Sequence, residues 1–125
     1  MNKVVYNNCY GGFGLSHDAV LLYAGLSGFE ISWIEQWSLK HYFRGNADGM
    51  SLEEAYKKLQ DFYPGNLDRH DPILVEVVET LGKDANGRCA DLRIYELNSK
   101  QYRIEEYDGN ESVHENYDDS WTYIP

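Results

Sequence analysis

Residues 69–82 read RHDPILVEVVETLG, and they constrain the fold more than any other stretch of the chain. Asp71 is a good helix cap, Pro72 brings the fixed φ that suits a first helical position, and Gly82 stands where a helix stops. Between them Leu74, Val77, Val78 and Leu81 recur at helical spacing. A helix this short gains little stability from its own hydrogen bonds, so its apolar stripe has to be buried against other elements.

Those other elements can be placed from local signals. Ser16 caps a helix expected over 17–26, with His17 and Asp18 in its first turn, Ala19, Val20, Leu22 and Tyr23 behind them, and Gly28 ending it. Ser51 and Glu54 form a capping box, and Leu52, Ala55, Tyr56, Leu59 and Phe62 make one helical face that Pro64-Gly65 closes. A strand is expected at Lys3–Tyr6, and one or two irregular strands within 29–46, where Gly45-Asn46 reads as a turn. The last third reads as an antiparallel sheet. Ala90, Leu92 and Ile94 alternate with Asp91, Arg93 and Tyr95, Asn98-Ser99-Lys100 reads as a hairpin connection, and Asp108-Gly109 as a second turn before a short strand in ESVHENY. In the strand between them Tyr102 and Ile104 point one way, and Gln101, Arg103 and Glu105 the other. The tail DDSWTYIP is expected to dock through Trp121 and Ile124. The expectation is one α+β domain over 1–125, an antiparallel sheet with about three helices packed on one side.

Composition narrows the function classes. Hydrophobic residues make up 42% of 125, enough for a core, and no apolar run approaches a membrane span. The N-terminal residues lack the apolar core of a signal peptide, so a cytoplasmic protein is expected. Cys9 and Cys89 form no Cys-x-x-Cys, and His17, His41, His70 and His114 show no zinc spacing; no metal or cofactor is expected. The net charge is −10, which repels nucleic acid and anionic membranes and suits a basic partner. From Asp91 onward nine acids face three bases, a net of −6, with Tyr95, Tyr102, Tyr107, Tyr117 and Tyr123 running through the same segment. Tyrosine is enriched at interfaces and is also a good strand residue. The expected partner surface is Tyr102, Glu105, Glu106, Tyr107, Asp108, Glu111, Asp118 and Asp119. The competing reading is a solvated acidic face that keeps the chain soluble.

Two other constellations carry chemistry. CYGGFGLS lies between a strand and a helix start, where free N–H groups and a helix dipole can hold a phosphate. It lacks the Gly-Lys-Ser/Thr of a Walker loop, and His17 stands where the dinucleotide fingerprint needs its third glycine. A tight turn needing positive φ explains the glycines equally. Arg69-His70-Asp71 suggests an anion clamp, or a general base with its orienting acid; Asp71 is already engaged as a cap. The expected ligand residues are therefore Gly11, Gly12, Gly14, Ser16, Arg69 and His70. An anion clamp predicts that Arg69→Ala leaves stability nearly unchanged. No catalytic set stands out.

CYGGFGLS, RHDPILVEVVETLG, ANG, LRIYEL and YRIEEYDGNESV together resemble a group of small, mostly uncharacterised phage and prophage proteins. The resemblance covers residues 1–26 and 69–113, and 30–66 match nothing in that group. It implies an accessory protein acting inside a bacterium. By analogy of class, small acidic phage proteins are often inhibitors of host defence, including anti-CRISPR proteins that occupy nucleic-acid grooves. The expected function is therefore a non-enzymatic inhibitor of a basic host protein, such as a nucleic-acid-binding defence effector. The alternatives are a nucleotide binder or sponge for a cyclic-nucleotide signal, and a small hydrolase or transferase.

Overall fold

A computed structural model of the chain describes residues 2–115 and 122–124. Its elements are β1 (Asn2–Asn7), α1 (His17–Ser27), β2 (Ile31–Gln36), β3 (Leu39–Arg44), α2 (Leu52–Lys58), β4 (Gln60–Phe62), α3 (Pro72–Leu81), β5 (Leu92–Leu97), β6 (Gln101–Tyr107), β7 (Asn110–Glu115) and β8 (Thr122–Tyr123). The fold is α+β with antiparallel sheets, but the strands divide into three small sheets: β1-β5, β2-β3-β4 and β7-β6-β8. No helix among the described residues is long and apolar enough to cross a membrane.

The division follows from which faces are buried. Val4 and Val5 point to opposite sides of β1, and both are fully buried. Val5 joins Val20, Tyr23, Leu74 and Val77 under α1 and α3. Val4 joins Leu97 and Tyr102 against the β6 sheet, where Ile124 also packs. The β1-β5 ladder is thus a shared wall between two cores. The expected hairpin at Asn98-Ser99-Lys100 is not one, because β5 pairs with β1 and β6 pairs with β7 and β8. The Glu115 carboxylate accepts the Asn98 and Ser99 N–H groups at 2.6 and 2.8 Å and fixes the corner where the chain changes layer.

The second helix is also shorter than expected. α2 ends at Lys58, Leu59 is extended, and Gln60–Phe62 pair with β3. That pairing carries Phe62 to Tyr23 and Phe29, away from the cluster of Phe43, Ala47 and Ala55 over which α2 lies. The segment 29–46 is a regular hairpin whose two-residue turn is Trp37-Ser38. α1 and α3 are bounded as expected: Ser16 accepts from the Ala19 N–H at 3.1 Å, Asp71 from the Ile73 N–H at 2.9 Å, and Gly28 and Gly82 end them. Trp121, expected to dock the tail, lies outside the described residues.

Candidate functional site: the glycine loop and the acidic hairpin

The two candidate sites meet at one place. β6 and β7 form a hairpin whose turn, Asp108-Gly109, has φ of 51° and 86°. This turn rests on the glycine loop, with the Gly11 N–H donating to the Asp108 carbonyl at 3.1 Å. A Cβ on Gly109 would run into the backbone of Gly11 and Gly12. A second close approach lies further along, where a Cβ on Gly87 would come within 2.6 Å of the Gly14 carbonyl carbon. There the Gly87 N–H donates to the Gly14 carbonyl at 2.8 Å. Backbone packing against Gly109 and Gly87, with positive φ at Gly11 and Gly12, therefore accounts for this cluster of glycines.

Ser16 is engaged at both ends, since its hydroxyl caps α1 and donates to the Asp84 carbonyl at 2.6 Å. Arg69, His70 and Asp71 diverge. Arg69 makes a bidentate pair with Glu111 at 2.5 and 2.9 Å, and its guanidinium lies 3.7 Å above the Phe13 ring. His70 Nδ1 shares a hydrogen bond with the Tyr102 hydroxyl at 2.7 Å. Asp71 accepts from the Tyr23 hydroxyl at 2.5 Å besides capping α3. These three neighbours tie the start of α3 to β7, β6 and α1 in turn.

A polar cleft of about 360 Å³ does bring Gly11, Gly12 and Arg69 together. Its other walls include Glu106 and Glu111, and the one guanidinium there is already neutralised by Glu111. Gly14 faces a different cleft, and Ser16 and His70 line neither. The six residues expected to hold an anion therefore do not converge.

The acidic surface divides into a buried and an exposed part. Tyr102 and Glu111 are corrections to the expected partner surface: they are 5% and 8% exposed, the first held by His70, the second by Arg69 and the Asn7 N–H at 2.8 Å. Burial, with repulsion from Asp68, pushes the Tyr102 hydroxyl up to about 12. Glu105, Glu106, Tyr107 and Asp108 are exposed at the hairpin end, Tyr107 by 78%. Glu105 is partly balanced by Arg103 at 2.6 Å, and the His114 Nε2 lies 3.2 Å from its carboxylate. Glu106 accepts from the Gly109 N–H at 2.7 Å, which stiffens the turn. Among the described residues no base pairs with Glu106 or Asp108. Tyr10, 59% exposed, lines a cleft with Tyr107. Its place beside the hairpin depends on a contact almost a hundred residues away, which no local signal carries. Asp118 and Asp119 lie outside the described residues.

No group of three or more potential metal ligands occurs among the described residues. His17 is instead held by the Tyr42 hydroxyl at 2.9 Å and sits edge-on to Trp33 at 4.5 Å. Comparison with protein families, with curated proteins and with solved structures found no match to the chain.

Proposed function

We propose that this chain is a non-enzymatic, phage-type accessory protein that inhibits a basic protein of a bacterial host, in the manner of an anti-CRISPR protein. The reading is carried by one observation: an acidic hairpin end, Glu105-Glu106-Tyr107-Asp108, stands exposed on a backbone it shares with the glycine loop. Negative charge steers a basic partner toward the site, and the flanking Tyr107 and Tyr10 offer large contact area at low entropic cost. A hairpin held at both its turn and its strands loses little freedom on binding, which favours affinity.

The nucleotide reading has less support, because Arg69 is committed to Glu111 and Glu106 adds negative charge to the same cleft. A nucleotide at a hundred times its dissociation constant would add about 2.7 kcal/mol of stability, so a thermal-shift screen decides that point directly.

The test of the main reading is capture from a bacterial lysate by the wild-type chain and by the variant Glu105→Lys, Glu106→Lys, Asp108→Lys. The expected result is a basic protein enriched by the wild type and lost with the variant. Equal capture by both would refute a role for the hairpin.

A further inference from the structure

The sheet β2-β3-β4 ends at β2, a strand of six residues with no neighbour on its outer side among the described residues. The phase of its ladder is set where the Gly45 N–H donates to the Glu30 carbonyl at 2.9 Å. Alternate residues of an antiparallel strand bond to the same neighbour. Ser32, Ile34 and Gln36 therefore turn their backbone groups to β3, while Ile31, Trp33 and Glu35 turn theirs outward. Exposed edges of this length are usually blunted by proline, lysine or a bulge. The segment EISWIEQ has neither proline nor lysine, and its pairing with β3 runs without a bulge.

The surroundings select by charge. A cleft of about 270 Å³ runs beside the strand, lined by Glu30, Ile31, Ser32, Trp33, Asn46 and Asp48. Glu30 and Asp48 are exposed, and Glu35 meets Lys40 only at 3.8 Å. The other nearby base, Arg44, stacks 4.0 Å above the Phe29 ring and is engaged in the core. Two tryptophans flank the edge, Trp33 at 41% and Trp37 at 80% exposure. Trp37 and Ser38 both adopt positive φ, 55° and 63°, in a turn position that asparagine and glycine normally fill. The chain thus holds an exposed tryptophan in an unfavourable backbone conformation, which is the kind of local violation that marks binding sites.

We propose that the outer edge of β2 is a strand-addition site for an extended, lysine- or arginine-bearing segment of a protein partner. The segment's backbone would pair with Ile31, Trp33 and Glu35, its cations would meet Glu30, Glu35 and Asp48, and Trp33 and Trp37 would take cation–π contacts. A second copy of this chain is a poor occupant, because it would bring the same acids face to face on two chains of net charge −10.

The test uses the full chain and a labelled, end-blocked peptide of alternating lysine and valine, six residues long. Hydrogen exchange should slow at the amides of residues 31, 33 and 35 when the peptide saturates. Glu35→Pro removes an outward N–H together with the carboxylate and leaves the ladder to β3 intact. Relative to Glu35→Gln, which removes only the charge, it should weaken the peptide about tenfold, the worth of one net hydrogen bond. Reversing Glu105, Glu106 and Asp108 should leave this binding unchanged at physiological salt, where distant charges are screened, so it fails or stands separately from the hairpin reading. No binding, unchanged exchange at those three amides, equal affinity for a control peptide in which glutamate replaces each lysine, or a stable dimer of the free chain would each overturn the proposal.

Discussion

Arg69→Ala separates a structural Arg69 from a ligand-binding one. Arg69 and Glu111 side chains are only 17% and 7% exposed, and their bond is bidentate. Removing one member of a buried pair leaves the other charge stranded, at a cost of about 3–5 kcal/mol. The guanidinium also loses its place over Phe13. For a domain of this size each kcal/mol lowers the melting temperature by about 4 °C, so the variant should melt roughly 12 °C or more below wild type. The double variant Arg69→Met, Glu111→Leu removes both charges. It should be less destabilised than either single change, short of wild type because the Asn7 N–H loses its acceptor. Thermal and urea unfolding of the wild type, Arg69→Ala, Arg69→Met, Glu111→Leu and the double variant measures the coupling. A loss below about 1 kcal/mol for Arg69→Ala, or simple addition in the double variant, would refute the reasoning.

Further expectations follow from the same geometry. Gly109→Ala should destabilise far more than Gly12→Ala, since a Cβ at Gly109 strikes backbone whereas at Gly12 it meets nothing and adds only φ strain; urea midpoints rank the two, and equal losses would contradict the close approach. Replacing Trp37-Ser38 by Asn-Gly should stabilise the chain by about 1–2 kcal/mol by relieving two left-handed residues, and a lower melting temperature would show that Trp37 is held by packing instead. Burial, aided by the bond to Asp71, raises the Tyr23 hydroxyl to about 12 from 10.0. The folded state therefore favours the neutral phenol, giving stability that is complete below pH 10 and lost as pH rises through 12. Tyr23→Phe should flatten that alkaline loss in a pH series of urea melts. Glu115 runs the other way: burial opposes its charge, but the N–H groups of Ser99 and Asn98 and the Tyr95 hydroxyl outweigh it and lower its pKa from 4.5. Its contribution is present above pH 4.5 and lost in acid, so Glu115→Gln should flatten the acid limb.

The legible parts of the fold were those whose signals are local. Asp71, Pro72 and Gly82 bound α3 by their own backbone preferences, and Ser16 and Gly28 do the same for α1. The end of α2 was illegible because Leu59-Gln60 carries no stop signal; only the open edge of β3 draws Gln60–Phe62 out of helix. The corner at Asn98 looked like a hairpin because its cause, the Glu115 carboxylate, lies well downstream. At the site, alternation already put Tyr102 with Ile104 on one face and Glu105 on the other, and the structure buries Tyr102 accordingly. Composition, by contrast, could not tell Glu111 from Glu106. One is consumed by an arginine 42 residues away, the other stands at the hairpin end, and only the assembled sheets distinguish them.

The central claim, that the acidic hairpin docks on a basic protein, is tested most directly by the salt dependence of binding to the captured partner. Association rates for the wild type and the Glu105→Lys, Glu106→Lys, Asp108→Lys variant should be measured from low to physiological ionic strength. Charge-steered docking predicts a steep fall for the wild type as screening shortens to about 8 Å, and a far slower, nearly salt-independent rate for the variant. A wild-type rate that ignores salt, or a variant that associates as fast, would contradict the account.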